Sequence, residues 1–400
     1  MRNLIYVSML MSPSLCRERN RQGNYFFNAA AQKFHSLITT GITDGVPEVE
    51  LSVLSGLYPD GKRWIQRRGE ERESGIRFQY IPYLNIPFLR TLIQITVGFI
   101  KLVRLHRRGS DETIILDPLL FYLLLPTWIF AKLFRVKLAI VVTDLIGYLG
   151  PVGHHVTWKN AFFKKIFVYL CANCDGYIVL TEQMCDIINP KHRSYMLMEG
   201  VVDHTISPST DFSVPPSEPP IILYAGGLLE EYGVRLLIEA FQKIRISTVE
   251  LHIYGGGPMA EEIKTISADK NSRIRYFGMR TMEEVLNAEK SASLLINPRA
   301  VPYEFTKYSF PSKNLEFLST GTPILAAMLP GIPEEYREIM YIIREATAES
   351  LGSQMEEILN FPLEERLSLG RKAQRYVLKK KNNLCQAKRI FNYLATILNP

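Results

Sequence analysis

Membrane-spanning length is the first thing this 400-residue sequence lacks. Its most apolar stretch, Pro118 to Ala131, stays uncharged for 14 residues, short of the roughly 20 that a bilayer-crossing helix needs. No transmembrane segment is therefore expected. The start, MRNLIYVSMLMSP, has one early Arg and a short apolar run but no small-x-small cleavage site after it, so it reads as a first β-strand rather than a signal peptide. Cysteine is scarce and unpatterned: Cys16, Cys171, Cys174, Cys185 and Cys385 are odd in number, which excludes a disulfide framework and fits a reducing compartment. Cys171 and Cys174 form CANC, yet no second ligand pair follows, so they read as buried thiols rather than a metal or redox site. Internal repeats and low-complexity tracts are missing too.

What is present is an ordinary folded composition, 47% hydrophobic, 22% charged and 11% aromatic. A net charge of +7 suggests a polyanionic neighbour: nucleic acid, anionic lipid or phosphorylated substrates. The basic residues show no aromatic interleaving on a sheet, which argues against nucleic acid.

From residue 1 to about 205, apolar strand-like runs (LIYVSML, VELSVLSG, TIILDP, LAIVVTDL, GYIVLT) alternate with helical stretches, the pattern of a parallel sheet covered on both faces. TISPSTDFSVPPSEPP follows, and its five prolines discourage packing. Alternation restarts at IILYAG. The expected organisation is a first Rossmann-like domain over 1–205, a linker over 206–220, a second Rossmann-like domain over 221–383 and a terminal helix over 384–400. The fold class is α/β.

The segment YSFPSKNLEFLSTGTPIL, Tyr308 to Leu325, reads as turn, short helix, turn, strand. Pro311 suits a first helical position, Ser309 can cap from upstream, and Gly321 suits the left-handed stop. A helix start offers unpaired N–H groups and partial positive charge, and Lys313 adds a cation there, so this end suits a diphosphate. Glu316 lies three residues on, about 4.5 Å along the axis, where it can accept ribose hydroxyls.

FPSKNLEFLSTGTPIL resembles the donor-binding element of family 4 glycosyltransferases, which have the two-Rossmann GT-B fold. ILYAGGLLEEYGVRLLIEAF, LHIYGGGP, IRYFG and INPR match in order across about residues 196 to 330. The resemblance implies two parallel sheets facing a central cleft, a nucleotide-diphosphate sugar donor held by the second domain, and retained anomeric configuration without a metal ion or other cofactor. No Asp-x-Asp metal motif is present. It also implies a hexosyltransferase whose acceptor is lipid-linked or a growing saccharide, and a terminal helix crossing back to the first domain.

Carried over by position, the donor contacts are Gly226, Gly227, Tyr308, Ser309, Ser312, Lys313 and Glu316, with Asp144, Arg299 and Lys313 as the catalytic set. The sequence departs from the family in three ways, one of them Thr143-Asp144 where the family often has a His. The loop after IILYA has Gly227 and Tyr232 where many members have Arg and Lys, and Arg299 of INPR is the candidate to restore charge. Tyr308 stands where the first glutamate of the family pair is expected, which alters sugar recognition. Asp144, ending LAIVVTDL, is a candidate to orient an acceptor hydroxyl or to cap a helix; His154 and His155 follow it as lesser candidates. RERNRQGNYFF, Arg17 to Phe27, occupies the place of an acceptor loop and can meet a phosphate or merely face solvent.

Gly255, Gly257 and Ala260 satisfy the loose dinucleotide pattern GxGxxA, but the next strand ends in Arg280 where a nicotinamide site wants an acid. Phe88 to Arg108 is an apolar helix with Arg90, Lys101, Arg104, Arg107 and Arg108, resembling an interfacial membrane helix. The expected location is the cytoplasmic face of a membrane, peripherally bound to an anionic leaflet. The missing loop cations keep open a non-catalytic scaffold or regulatory subunit, and a nucleotide-sugar epimerase of the same fold is the other alternative.

Overall fold

The computed structural model describes residues 3–21, 29–57, 65–66, 68–86, 89–107, 111–146, 158–206, 218–299 and 304–398. The chain divides into two compact units. One is Met1–Val201 with Asn382–Pro400, and the other is Val202–Lys381.

In the first unit, β1 (Asn3–Ser8), α1 (Pro13–Arg21), α2 (Ala29–Gly45), β2 (Glu50–Gly56), β3 (Ile65–Gln66), β4 (Glu70–Glu73), β5 (Ile76–Ile81), β6 (Tyr83–Leu84), α3 (Leu89–Leu105), β7 (Glu112–Leu116), α4 (Phe121–Phe134), β8 (Lys137–Val142), α5 (Trp158–Ala172), β9 (Gly176–Val179), α6 (Gln183–Ile188) and β10 (Tyr195–Leu197) follow in chain order. Eight of these strands form a sheet in the order β10-β9-β8-β7-β1-β2-β5-β4. Only β4 runs antiparallel to its neighbour. The central strands are buried along almost their whole length and mostly apolar, because both faces are covered. β4 and β5 are joined by Ser74 and Gly75, both at positive φ (53° and 76°), the backbone that a two-residue hairpin with right-handed twist requires.

The second unit continues with β11 (Ile221–Ala225), α7 (Val234–Gln242), β12 (Glu250–Tyr254), α8 (Ala260–Ala268), β13 (Ile274–Gly278), α9 (Met282–Ser291), β14 (Leu294–Asn297), α10 (Ser312–Thr320), β15 (Ile324–Ala326), β16 (Tyr341–Ile342), α11 (Ala348–Asn360) and α12 (Leu363–Lys380). Its six strands are all parallel in the order β13-β12-β11-β14-β15-β16. That is the doubly wound dinucleotide-fold order, and the strand sequence reverses between β11 and β14.

The last helix, α13 (Asn383–Leu398), packs on α2 and reaches β8 and β9. Tyr393 fixes it: its hydroxyl accepts the Tyr177 N–H at 2.8 Å and donates to the Ser194 carbonyl at 2.6 Å. Gln386 and Arg389 donate to the carbonyls of Gly200 and Leu197. The approach is close enough to demand glycine: a Cβ on Gly41 would lie 2.3 Å from the Asn383 carbonyl oxygen. Gly41→Ala should therefore destabilise the first unit by about 2 kcal/mol through overpacking, read as a lowered urea midpoint with the second unit's transition unmoved.

Candidate functional site

Strand order places the site before any side chain is considered. In a doubly wound sheet, ligands bind beyond the carboxyl ends of the strands where the order reverses. In the second unit those ends carry Gly226 and Gly227 after β11 and Arg299 just after β14.

The glycine turn is shaped by backbone packing. Gly226 donates its N–H to the Tyr254 carbonyl at 3.0 Å, and Leu228 donates to Gly256 at 2.9 Å. Gly255 has φ 133°, and a Cβ there would sit 1.9 Å from the Gly226 carbonyl oxygen. The GGGP segment is thus a strand-to-helix turn pressed against the loop after β11, which answers for the GxGxxA pattern without a dinucleotide. The Gly226 amide is already committed, so an anion nest at this turn is narrower than the sequence suggests. Tyr224 donates its hydroxyl to the Gly227 carbonyl at 2.7 Å. Burial, with a smaller contribution from Tyr232, raises its pKa.

Arg299 lies with its guanidinium 4.5 Å from the centre of the Tyr232 ring. Tyr232 is one of the two positions where a cation is missing from the loop. The structure therefore puts the arginine's charge beside that position from a different strand, a stacking that a guanidinium favours.

The second cluster is on α10. Its N-cap is Pro311 and its first residue Ser312, one position later than the sequence suggests. Ser309 does not cap it: the Ser309 hydroxyl is buried without a hydrogen-bond partner among the described residues. Gly321 ends the helix with φ 86°, in the left-handed conformation expected of it. Tyr308 closes a 3₁₀ turn over Glu304–Tyr308 just before the helix. Asn297 at the end of β14 donates to the Asn314 side-chain oxygen at 2.6 Å, which ties the first turn of α10 to the switch-point strand. At the far end Gln374 of α12 donates to the Ser319 carbonyl at 2.9 Å, and Thr322 donates to the Glu289 carbonyl at 2.8 Å.

Lys313 and Glu316, assigned separately to phosphate and ribose, meet each other: Nζ is 2.9 Å from Glu316 Oε1. A third group joins them. Glu289 of α9, fully buried, places Oε1 3.6 Å from the same Nζ. Sequence reasoning missed Glu289, although a carboxylate four residues after Val285 on the half-buried side of α9 was a usable signal. One lysine, about one-third exposed, thus answers two carboxylates.

In the first unit, Asp144 stands two residues beyond β8, half-buried. His154 and His155 lie outside the described residues. Arg17 to Arg21 belong to α1 and not to a loop. Arg17 pairs with Glu73 at 3.2 Å, and Arg19 is buried. The start of α1 is occupied by the protein's own carboxylates: Ser14 N–H donates to Glu73 at 3.0 Å, while Ser12 and Tyr80 donate their hydroxyls to Glu71. Gly23 to Phe27 lie outside the described residues. Cys171 and Cys174 are free and buried, with burial pushing both thiols up, Cys174 to about 12. Among the described residues no group of three or more His, Cys, Asp or Glu side chains could hold a metal ion.

Residues 219–360 match the family described as glycosyl transferases group 1. The whole chain superposes on solved GT-B enzymes. Anabaena HepE matches with a TM-score of 0.65 at 13% identity, covering 99% of this chain and 100% of that one. Sucrose-phosphate synthase from Thermosynechococcus elongatus gives 0.68 at 15%, again 99% and 100%. The lipopolysaccharide outer core galactosyltransferase WaaB gives 0.64 at 14%, covering 98% and 99%. The fold is GT-B, and the stretch that matches the group 1 glycosyl transferases lies within the second unit. No curated protein matches the chain in sequence.

The Lys313 trio makes a stability prediction. Removing the cation beside a buried carboxylate is costly, discounted here because Lys313 is partly exposed. Lys313→Ala should lose on the order of 2 kcal/mol, and adding Glu289→Gln should recover most of it, as measured by denaturant midpoints of the two variants.

Proposed function

We propose that this glycosyltransferase moves a hexose from a nucleotide-diphosphate sugar to a hydroxyl of a lipid-linked or growing saccharide acceptor. It acts with retained anomeric configuration and without a metal ion, at the cytoplasmic face of a membrane. The observation that carries the reading is the first turn of α10, where Lys313 and Glu316 share one end of a helix tied to the switch-point strand. HepE, whose fold this chain shares, has been determined with UDP, with UDP and glucose, and with UDP-glucose, which supports a uridine-type donor as the first to test.

The chemistry follows from the charges. An incoming diphosphate competes with Glu316 for Lys313, and the released carboxylate turns to the ribose hydroxyls one helical step away. Glu289 stays behind the lysine and faces its ammonium group. Ser312 and Lys313 offer first-turn amides, Ser309 a hydroxyl and Gly227 a backbone contact, while Tyr308 replaces a carboxylate beside the sugar. As the glycosidic bond breaks, charge grows on the leaving diphosphate. Lys313, Arg299 and the positive end of α10 stabilise it there. Asp144 is assigned to the acceptor hydroxyl.

A scaffold reading draws on one observation: Lys313 already faces two carboxylates, which lowers its attraction for phosphate. Calorimetric titration with UDP separates the two. The Glu289→Gln protein should bind at least as tightly as wild type, and Glu289→Gln with Lys313→Ala, the stability-matched variant, should bind about tenfold or more weakly. Equal binding by both would remove the phosphate assignment, and no binding by wild type to any nucleoside diphosphate would favour the scaffold. Turnover should persist in excess chelator, with an unchanged anomeric centre in the product by NMR.

A further inference from the structure

Large apolar side chains are exposed mostly in one region of the molecule. On α3 they are Leu89, Leu92, Ile100 and Val103, on α4 Ile129 and Leu133, and on α5 Phe162, Phe163 and Tyr169. On α3 the exposed positions run Leu89, Leu92, Thr96, Ile100 and Val103, spaced by three or four residues, so they line one stripe of the helix. The other side of α3, with Gln94, Gly98, Leu102 and Leu105, is buried.

The three helices lie side by side. α3 packs on α4, and α4 on α5. Phe99 meets Phe130 at 6.2 Å, Phe121 meets Phe163 at 5.8 Å, and Trp128 meets Tyr169 at 6.4 Å. Right-handed crossovers running in opposite directions from β1 put α3 and α4 on the sheet face opposite α2 and α13. Their outward surface is therefore continuous, and a patch of this extent on a soluble protein marks an interaction site.

Charge says what the patch meets. α3, α4 and α5 contain no Asp or Glu at all. α3 has Arg90, Lys101 and Arg104, α4 has Lys132, and α5 has Lys159, Lys164 and Lys165. Lys132 lies 5.9 Å from the Trp128 ring, an aromatic and a cation paired at the surface as at a lipid headgroup boundary. A protein partner or a second copy of the chain would be expected to find carboxylates for specificity. A surface with apolar side chains, aromatics and one sign of charge matches an anionic bilayer. Among the described residues no helix is long and apolar enough to cross a membrane, so the contact is interfacial.

We infer that the outer face of α3, α4 and α5 seats the first unit on an anionic lipid surface. Leu92, Leu133, Phe162 and Tyr169, each 58 to 66% exposed, enter the acyl boundary, while Lys101, Arg104, Lys132 and Lys165 meet lipid phosphates. This deepens the membrane part of the proposed function and is independent of the donor assignment.

The test is flotation of the full chain with vesicles of phosphatidylcholine alone and with roughly one-third phosphatidylglycerol. Wild type should float only with the anionic vesicles, and half-molar salt should weaken binding about tenfold. Leu133→Ser with Phe162→Ser and Tyr169→Ser, all exposed positions, should lose about tenfold or more in vesicle affinity with unchanged melting temperature and unchanged UDP binding. Arg104→Glu with Lys165→Glu should do the same for the charge-dependent part. Equal flotation of these variants, or no flotation of wild type, overturns the inference. So does self-association of the lipid-free chain that the serine variant abolishes, since the face would then join two copies. A loss of UDP binding by the Lys313 variants leaves it untouched.

Discussion

A buried carboxylate beneath the first turn of a short helix governs the second unit. Glu289 is out of water, and a charge there needs compensation. Lys313 supplies it from the first turn of α10, whose position is fixed by Asn297 at one end and Gln374 at the other. The lysine also holds Glu316. On the proposed reading, Lys313 and Glu316 are the cation and the carboxylate that a nucleoside diphosphate would separate and use.

The two units answer anions differently. In the second, the start of α10 has a cation beside it, paired with the carboxylate of Glu316. In the first, the start of α1 is filled by Glu71 and Glu73, delivered by the tight β4–β5 hairpin and braced by Arg17 and Arg68. One helix end thus has a single lysine shared between two carboxylates, and the other is filled by carboxylates that also hold hydroxyl, amide and guanidinium partners.

Much of the architecture was readable because the strands of covered parallel sheets are continuous apolar runs, and such runs between glycine or proline turns are hard to mistake. LAIVVTDL and SLLINPR became β8 and β14, and the helix between Pro311 and Gly321 ended at its glycine as expected. Its start shifted by one residue: Pro311 has a helical φ of −71° but an extended ψ of 97°, which leaves it at the N-cap. Arg17 to Arg21, read as loop, formed α1 since the carboxylates of β4, some fifty residues away, complete its first turn.

The sequence by itself determined the fold class, the helix between Pro311 and Gly321 and the absence of acidic side chains on α3 to α5, because these depend on local order: periodicity, capping and composition. Only the tertiary structure decided that Lys313 faces Glu289, that Arg299 stacks on Tyr232, and that three separate helices present one apolar face. Each of these joins residues from different elements of the fold. Which side chains meet across such gaps is set by the strand order and by the close approach of backbones at Gly255, Gly41 and their like, and no local pattern records it.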